Sequence, residues 1–358
     1  MYLGDIMRAI MEVYINKFNN NIDNIKKIVG NKIIMPIIKA NGYGTYVNKN
    51  LELINKFDIV GVALVDEGIE LRKLGYKKDI FVLNEPSIDE IDNIIKYNIT
   101  VGVCDRLILE KMIEKRFKIK IHLEIETGMN RTGININDLE SILKLLKNTN
   151  IEVEGIYTHL SSADKDVEYT NKQLELFKKS VELTKKYYNL KYIHSSASSG
   201  LLNYDDKVSN MVRPGIIIYG YKPYKDADID VEPICKLKAK IVFIKEVNKN
   251  ESISYSRTFT TKKKMKIATI QVGYADGIRR GLSNKGKVVI NNKLCNIVGN
   301  ICMDSFMVDV TDIDAKVGDY AYIWDNNLIK LDDIADMCNT INYEIITCIS
   351  YRVPRIFI

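Results

Sequence analysis

The chain alternates between short apolar runs and longer segments in which apolar residues recur every three or four positions. Short runs bounded by turn residues are typical of buried strands, and the longer period is typical of helices that pack on one face. The predicted strands of the first part of the chain are residues 33–38, 59–64, 80–83, 99–104, 119–125, 153–157, 192–194 and 215–219. The predicted helices between most of them are residues 21–29, 51–57, 67–74, 89–97, 106–115, 137–147 and 171–188.

Strands that alternate with helices predict parallel strands joined by crossover helices. Eight such units predict an α/β fold with a (β/α)8, TIM-like barrel over residues 8–232. A doubly wound open sheet is the alternative, but eight units favour closure.

After the barrel the pattern changes to short apolar runs and residues that alternate with a period of two. Turn signals such as Asn291-Asn292 separate these runs. A smaller, mostly-β C-terminal domain is therefore predicted over residues 233–358, with helices near residues 331–337 and 341–350. Its predicted strands are residues 237–247, 267–272, 287–290, 294–298, 306–310 and 320–323.

Composition excludes several classes of function. The net charge of +6 comes from scattered lysines, whereas nucleic-acid binding needs clustered ones. No apolar segment approaches the roughly 20 residues of a membrane span, and residues 1–14 lack the pattern of a signal peptide. The six cysteines show no metal-ligand spacing, and the three histidines argue against a histidine-based metal site. A cytoplasmic protein with reduced thiols and no metal is predicted.

Reactive residues stand where the predicted barrel strands end. In a TIM-like barrel the active site lies at that face. Lys39 ends the first run, Glu124 the fifth and His159 the sixth. A partly desolvated lysine has a lowered pKa, so its amine can attack a carbonyl as in a Schiff base with pyridoxal phosphate (PLP). The alternative is that Lys39 is an ordinary surface lysine.

The last two barrel units supply residues suited to a phosphate and to a ring nitrogen. Serine hydroxyls and glycine amides at Ser198, Gly215 and Ile216 fit a phosphate site, although such clusters also occur in plain loops. Arg213, placed before the predicted eighth strand, stands among apolar residues and needs a partner. That partner is either a structural salt bridge or the pyridine nitrogen of PLP. An arginine keeps its proton, so the nitrogen would stay unprotonated, which favours proton exchange at Cα over decarboxylation.

Six motifs resemble those of the PLP-dependent alanine racemases, which are two-domain enzymes of fold type III. The resemblance runs in order from about residue 8 to residue 358. The motifs are residues 38–44 (IKANGYG), 127–133 (TGMNRTG), 211–215 (MVRPG), 273–277 (GYADG), 301–304 (ICMD) and 352–355 (RVPR).

The resemblance implies two catalytic bases. Lys39 would bond to the cofactor and act on the D-amino acid, while Tyr255, from the other subunit, would act on the L-amino acid. The enzyme would then be an obligate homodimer with shared active sites. Both bases are needed because the proton leaves and returns on opposite faces of a planar intermediate.

The resemblance also implies binding roles for residues of both domains. Arg213 would meet the ring nitrogen, and His159 would lie near Tyr255 or against the cofactor. Arg131 and the Met303 backbone would bind the substrate carboxylate. The residues implied to hold the phosphate are Tyr43, Ser198, Gly215, Ile216 and Tyr351. Tyr274 would line the entrance and Asp304 would support the site.

Three departures from the family pattern affect these roles. Glu124 stands where many members have a carbamylated lysine, and we expect its carboxylate to pair with Arg131, unless it is an unrelated surface glutamate. Ala197 replaces a usual asparagine near the cofactor. Ile278 and Arg279 change the entrance.

The predicted function is conversion of L-alanine to D-alanine for peptidoglycan precursors of the cell wall. A serine or broad-specificity racemase on the same scaffold is the alternative, although Tyr351 argues for a small pocket. A non-catalytic PLP carrier would need no second domain. A PLP decarboxylase would place an acid, rather than Arg213, against the ring nitrogen.

Overall fold

The computed structural model describes residues 7–358, so the first six residues of the stretch examined for a signal peptide lie outside it. The strands are β1 (Ala9–Val13), β2 (Ile33–Ile34), β3 (Ile59–Val62), β4 (Asp79–Val82), β5 (Thr100–Val103), β6 (Ile119–Glu124), β7 (Ile151–Tyr157), β8 (Tyr192–His194), β9 (Met211–Val212), β10 (Cys235–Val247), β11 (Ser252–Ile253), β12 (Phe259–Thr260), β13 (Met265–Ile270), β14 (Lys287–Ile290), β15 (Lys293–Val298), β16 (Phe306–Asp309), β17 (Tyr320–Trp324) and β18 (Arg355–Phe357).

Helices separate the strands of the first part and recur near the end of the chain. They are α1 (Ile15–Val29), α2 (Leu51–Ile54), α3 (Val65–Leu74), α4 (Ile91–Tyr97), α5 (Arg106–Glu114), α6 (Ile136–Leu146), α7 (Val167–Thr184), α8 (Ser198–Asn203), α9 (Leu331–Met337) and α10 (Asn342–Thr347). Short 3-10 segments are Val47–Lys49, Ile88–Glu90, Ile216–Tyr219, Tyr255–Arg257, Tyr274–Asp276 and Arg280–Leu282.

Strands β2 to β9 form a closed parallel barrel. Strands β3 to β8 pair in chain order within one sheet, and β2 pairs with β9. Two parallel bridges close the ring: Ile37 with Gly61, and Ala197 with Arg213. The predicted TIM-like barrel is therefore confirmed, and the carboxyl ends of its strands share one face.

The predicted eighth strand at residues 215–219 is wrong. The strand is β9, and the apolar run that follows it forms the buried 3-10 segment Ile216–Tyr219. A short apolar run does not distinguish a buried strand from a buried helical turn. As a consequence Arg213 follows the eighth strand, at the mouth of the barrel, instead of preceding it. Residues Ser198–Asn203, for which no helix was predicted, form α8.

Polar side chains cap the barrel helices. The Asp105 carboxylate accepts N–H groups at the start of α5, and the Asp166 carboxylate accepts the Tyr169 N–H at the start of α7. Helix α6 is capped by Asn135, two residues before position 137, where the sequence predicts that the helix begins. These caps satisfy N–H groups that have no partner within their helix.

The barrel interior includes polar aromatic side chains, and two glycines make room for them. A Cβ on Gly102 would lie 2.2 Å from the Tyr157 hydroxyl, and one on Gly155 would lie 2.8 Å from the His122 ring. Any other residue at either place would displace these side chains. The part of the barrel core next to Gly102 and Gly155 is thus packed around the rings of Tyr157 and His122.

The second unit of the chain is mostly β, as predicted. Strand β10 pairs antiparallel with β17 and also with β13. The remaining pairings connect β13, β16, β15, β14 and β17 in that order, which closes a ring of six strands. Strands β1 and β18 extend the sheet beside β10.

The predicted domain bounds, 8–232 and 233–358, stay a prediction, with one observed difference. Strand β1, expected within the first domain, pairs with β10 and β18 of the β unit. Within residues 7–358, no helix has both the length and the apolar character needed to cross a membrane. In the same range, no group of three or more His, Cys, Asp or Glu side chains could hold a metal ion.

Candidate active site

Lys39 stands at the start of an unusual turn after β2. Ala40, Asn41 and Gly42 have left-handed φ angles of 51°, 54° and 59°. Such angles are strained for alanine, and this strain is typical of functional sites. The Glu67 carboxylate holds the turn: it accepts the Ala40 N–H at 2.5 Å. The backbone geometry of the turn therefore fixes where the Lys39 side chain begins.

The surroundings of Lys39 favour its neutral amine. Burial lowers the pKa of Lys39, and the positive charges of Arg131 and Arg213 lower it further, while Glu67 opposes them. A larger neutral fraction makes the amine a better nucleophile and a better base at physiological pH.

Arg213 is the most constrained side chain of the site. It is 1 % exposed, and its terminal nitrogens face five acceptors. Nη1 donates to the His194 carbonyl at 2.9 Å and lies 2.8 Å from Nδ1 of the same residue. Nη2 donates to the carbonyls of Thr158 at 2.8 Å and Ser195 at 3.0 Å. His159 Nδ1 lies 3.2 Å from the same nitrogen.

These contacts leave one donor of Arg213 for a ligand. Five acceptors use the four N–H groups of the terminal nitrogens, whereas Nε has no hydrogen-bond partner among residues 7–358. None of the acceptors is a carboxylate, so the structural salt bridge considered as one alternative for Arg213 is absent within that range. Burial lowers the pKa of Arg213 to about 10, which leaves it charged at neutral pH. A free N–H on a fixed cation fits the pyridine nitrogen of PLP.

His159 is neutral and faces Arg213 with one defined nitrogen. Burial and the charges of Arg213, Arg131 and Lys39 lower the pKa of His159 to about 3. Arginine can only donate, so Nδ1 of His159 accepts and its ring proton sits on Nε2. His159 therefore has one N–H left to donate.

Glu124 lies in the barrel core, not on the surface. It is 4 % exposed and accepts the Tyr157 hydroxyl at 3.1 Å. Within residues 7–358 no ion pair closer than 4.0 Å joins it to Arg131, so the expected direct contact is absent. Burial raises the pKa of Glu124, and hydrogen bonds from Thr132 and Tyr157 and the charge of Arg131 partly offset this. The carboxylate thus acts on Arg131 through its charge.

The predicted phosphate residues of the barrel lie side by side. Ser198 begins α8, and its Oγ accepts the Gly215 N–H at 3.0 Å. Gly215 in turn precedes the 3-10 segment Ile216–Tyr219. The first N–H groups of a helix have no partner within it and suit an anion. Ala197, at the N-cap of α8, has no side chain that could cap these N–H groups.

In the β unit, four exposed residues of the predicted site lie on loops that hydrogen bonds connect. Tyr255, Tyr274, Met303 and Tyr351, here called the loop cluster, are 70 %, 44 %, 52 % and 83 % exposed. Asn300 donates to the Tyr255 carbonyl at 2.8 Å, and the Tyr274 N–H donates to Cys302 at 3.1 Å.

Asp304 and Tyr43 have partners within the β unit. Arg352, next to Tyr351, pairs with Asp304 at 2.6 Å. Tyr43 belongs to the same compact unit, where its ring lies 6.2 Å from that of Tyr343. Burial raises the pKa of Tyr43, so its phenol keeps its proton.

Sequence reasoning missed several side chains that build the site. Glu67 fixes the Lys39 turn, and His122, inside an apolar run, reaches His194. Gln173, fully buried on α7, donates to Thr127 and to the His159 carbonyl. A polar residue at an inward position of a strand or helix is the signal that could have found His122 and Gln173.

Comparison with known proteins gives consistent matches over the whole chain. Residues 13–223 match the model of the alanine racemase N-terminal domain, and residues 234–357 match that of the C-terminal domain. The chain belongs to the alanine racemase family. It is 39 % identical to the alanine racemase of Clostridium novyi, over 97 % of this chain and 94 % of that protein. It is 38 % identical to alanine racemase 2 of Caldanaerobacter subterraneus, over 99 % and 96 %.

Solved structures agree with the fold. The alanine racemase of Clostridium difficile 630 superposes with a TM-score of 0.93 at 35 % identity, over 99 % of this chain and 96 % of that one. The family racemises alanine with PLP, and the chain is a PLP-dependent isomerase of this family. The resemblance inferred from the six motifs is confirmed, and the serine or broader alternative is not favoured.

Proposed function

We propose that the chain interconverts L-alanine and D-alanine with two bases, Lys39 of one subunit and Tyr255 of the partner subunit. When bound, PLP withdraws electrons from Cα of the substrate and makes its proton acidic. One observation carries the proposal. Lys39 and the buried Arg213 share the barrel mouth, and the charge of Arg213 lowers the pKa of Lys39.

Each barrel residue has one task in this proposal. Lys39 would bond to the cofactor through Nζ and would hold or release the proton on one face. Arg213 would offer its free Nε–H to the ring nitrogen and would keep its own proton. The Ser198 hydroxyl and the Ile216 N–H would bind the phosphate, and the Gly215 N–H, which donates to Ser198 Oγ, would hold that hydroxyl in place.

In the proposed complex the substrate carboxylate would meet Arg131 of one subunit and the backbone of Met303 of the partner subunit. Arg131 is exposed at the barrel mouth, and its charge already acts on Lys39 and on His159. His159 donates its Nε2–H toward the second base. Glu124 steadies Arg131 through its buried negative charge. Tyr274 lines the entrance, and the Arg352 pair with Asp304 supports it.

The exposure of the loop cluster supports an obligate homodimer with shared active sites. Tyr255 at 70 % and Tyr351 at 83 % exposure are large side chains that a single chain leaves in water. Tyrosines are enriched where protein surfaces meet and bind. A two-fold dimer would place Tyr255 and Met303 of each loop cluster at the active site of the other subunit.

A racemisation assay followed by circular dichroism over a panel of L-amino acids tests the reaction. We expect loss of optical activity with alanine and a much slower loss with serine. Incorporation of one solvent deuteron at Cα should accompany it. Release of carbon dioxide, or no reaction with alanine, would contradict the proposal.

Mixed dimers test whether active sites are shared. K39A and Y255F should each be inactive alone. When they are unfolded together and refolded, a mixed dimer has one site with an intact Lys39 and an intact Tyr255, so activity should return. No recovery in dimers shown to be mixed would mean that both bases come from one chain.

We also propose that the D-alanine serves cell-wall precursor synthesis in the cytoplasm. Expression of the chain without any export signal should restore growth of a bacterial strain that requires D-alanine. K39A serves as the control and should not restore growth.

A further inference from the structure

A line of three buried side chains runs from the cofactor-facing arginine into the barrel. Arg213 Nη1 lies 2.8 Å from His194 Nδ1. His194 Nε2 lies 2.8 Å from His122 Nδ1. All three residues are at most 1 % exposed. Both contacts have ordinary hydrogen-bond lengths, so each needs one donor and one acceptor.

The chemistry of arginine decides which atom donates at each step. A guanidinium has no acceptor, so His194 Nδ1 must accept from Arg213. A neutral imidazole carries its single proton on the other nitrogen, which places the proton of His194 on Nε2. That N–H donates to His122, whose Nδ1 must therefore accept. The proton of His122 then sits on Nε2.

The far end of this line has an unsatisfied donor. His122 Nε2 is buried and has no hydrogen-bond partner within the described residues. Its ring stacks on Phe81 at 4.4 Å and lies above Gly155, where a Cβ would come within 2.8 Å. A buried N–H without a partner costs free energy. We infer that the contact of His122 Nδ1 with His194 offsets this cost.

We propose that His122 is a positioning residue that orients His194, and through it the guanidinium of Arg213. His122 supplies the only acceptor found within residues 7–358 for the His194 ring N–H. With that acceptor in place, the His194 ring presents Nδ1 to Arg213. The part of this inference that concerns the cofactor rests on the proposed function.

The surrounding charges keep the line in this state. Burial, together with the nearby positive charges of Lys191, Arg213 and Lys120, lowers the pKa of His122 to about 3. Burial also lowers the pKa of His194 well below its usual value, together with Arg213 and His122. A proton added to either histidine would place two donors face to face. Both rings are therefore neutral at physiological pH.

Nitrogen NMR tests the proton positions without any measurement of activity. The chain has only three histidines, so labelling histidine with 15N gives three ring spin systems that single variants assign. We expect His122 and His194 to be neutral and protonated at Nε2 at about pH 7. A charged His194, or a His194 protonated at Nδ1, would overturn the inference even if the chain racemises alanine.

Two variants of equal shape test the positioning role. H122N keeps an acceptor where Nδ1 lies, whereas H122L has none. In H122L we expect kcat for alanine to fall by about tenfold or more, with a small change in KM, because a displaced Arg213 meets the cofactor poorly. The visible absorption band of the holoenzyme should shift in H122L. H122N should stay close to the unmodified enzyme in kcat and spectrum.

The outcomes separate positioning from packing. Equal losses in H122N and H122L would show that shape matters and the acceptor does not, which overturns the proposal. Unchanged kcat and spectrum in H122L would overturn it as well. If H122L does not fold, the NMR measurement on the unmodified chain and the kinetics of H122N still decide. Failure to racemise alanine with the NMR result intact would remove the proposed function and leave the histidine contacts in place.

Discussion

The barrel mouth and the loop cluster hold their polar side chains in opposite ways. Arg213 is 1 % exposed and meets five acceptors, whereas Tyr255 and Tyr351 are 70 % and 83 % exposed. A buried group whose terminal nitrogens all hydrogen-bond to its own chain is held in place by that chain. Exposed phenols on loops have no such support.

This difference distinguishes the part of the proposed active site that one chain holds in place by itself from the part that would need a second chain. In the proposed enzyme, the barrel would fix the charge and direction of the groups that meet the cofactor. The loop cluster would supply a base and a binding group for the substrate carboxylate, and both would need a complementary surface to exclude water. A substitution in the barrel should therefore impair the active site of the subunit that carries it. A substitution of Tyr255 in the loop cluster should instead impair the active site of the partner subunit.

The largest expected effect is that of K39A. In the proposed mechanism, removal of the amine takes away both the bond to the cofactor and one of the two bases. We expect racemisation to fall to background and the visible absorption of bound cofactor to change. K179A, which removes an exposed lysine of α7, is the control and should keep full activity. Substantial racemisation by K39A would exclude Lys39 as a base.

Y255F should have the next largest effect. Loss of one general base lowers the rate by about 10²–10⁴-fold. The equilibrium constant between enantiomers is one, so kcat/KM must fall equally in both directions. Y187F is the control, because it removes a tyrosine hydroxyl that donates to Glu140 and has no role in the proposed mechanism. An unequal fall in the two directions would indicate an artefact of the assay, and no fall would remove Tyr255 from the mechanism.

E124Q should reduce activity by about tenfold, since the steadying of Arg131 comes from charge without direct contact. E124D, which keeps the charge, is the matched control and should lose less. We expect the loss to appear mainly as a higher KM for alanine. Unchanged kinetics in E124Q would show that Glu124 has no part in substrate binding.

The same variant has a defined effect on stability. Burial raises the pKa of Glu124 above its value in the unfolded chain. The folded chain then binds more protons, so the stability that Glu124 contributes at low pH is lost as pH rises through the folded pKa. An amide does not titrate. Relative to the unmodified chain, E124Q should therefore gain Tm as pH rises from acidic to neutral. A constant Tm difference across this range would contradict the raised pKa.

The sequence predicted the residues of the barrel mouth better than the contacts between them. Lys39, Glu124 and His159 follow strands in order, and parallel strands bring their ends together. Arg213 was placed before the eighth strand because the apolar run after it resembles a strand. Only the pairing of Met211–Val212 with Ile33–Ile34 shows where that strand lies.

Contacts between distant segments could not be predicted from one sequence. Glu124 and Arg131 are seven positions apart, yet the Glu124 side chain turns inward to Tyr157. The link from His122 to His194 spans 72 positions, and no local pattern records it. Periodicity indicates which residues face inward, but it does not indicate which of them meet.

Gln173 is the site of the smallest expected effect. Its Nε2 donates to Thr127 at 3.1 Å and to the His159 carbonyl at 3.2 Å, and its Oε1 accepts the Ser161 N–H at 3.0 Å. The side chain thus joins the loop after β6, which leads to Arg131, to the loop after β7.

In Q173L these buried partners lose their hydrogen bonds, so the free energy of unfolding should fall by about 1–3 kcal/mol. KM for alanine should rise a few-fold, because Arg131 is held less firmly. S180A is the control: Ser180 is buried on the same helix, and its hydroxyl donates to the Leu176 carbonyl within that helix. If S180A raises KM as much as Q173L does, the effect belongs to the helix as a whole. A rise confined to Q173L would show that the barrel positions even its exposed arginine from within.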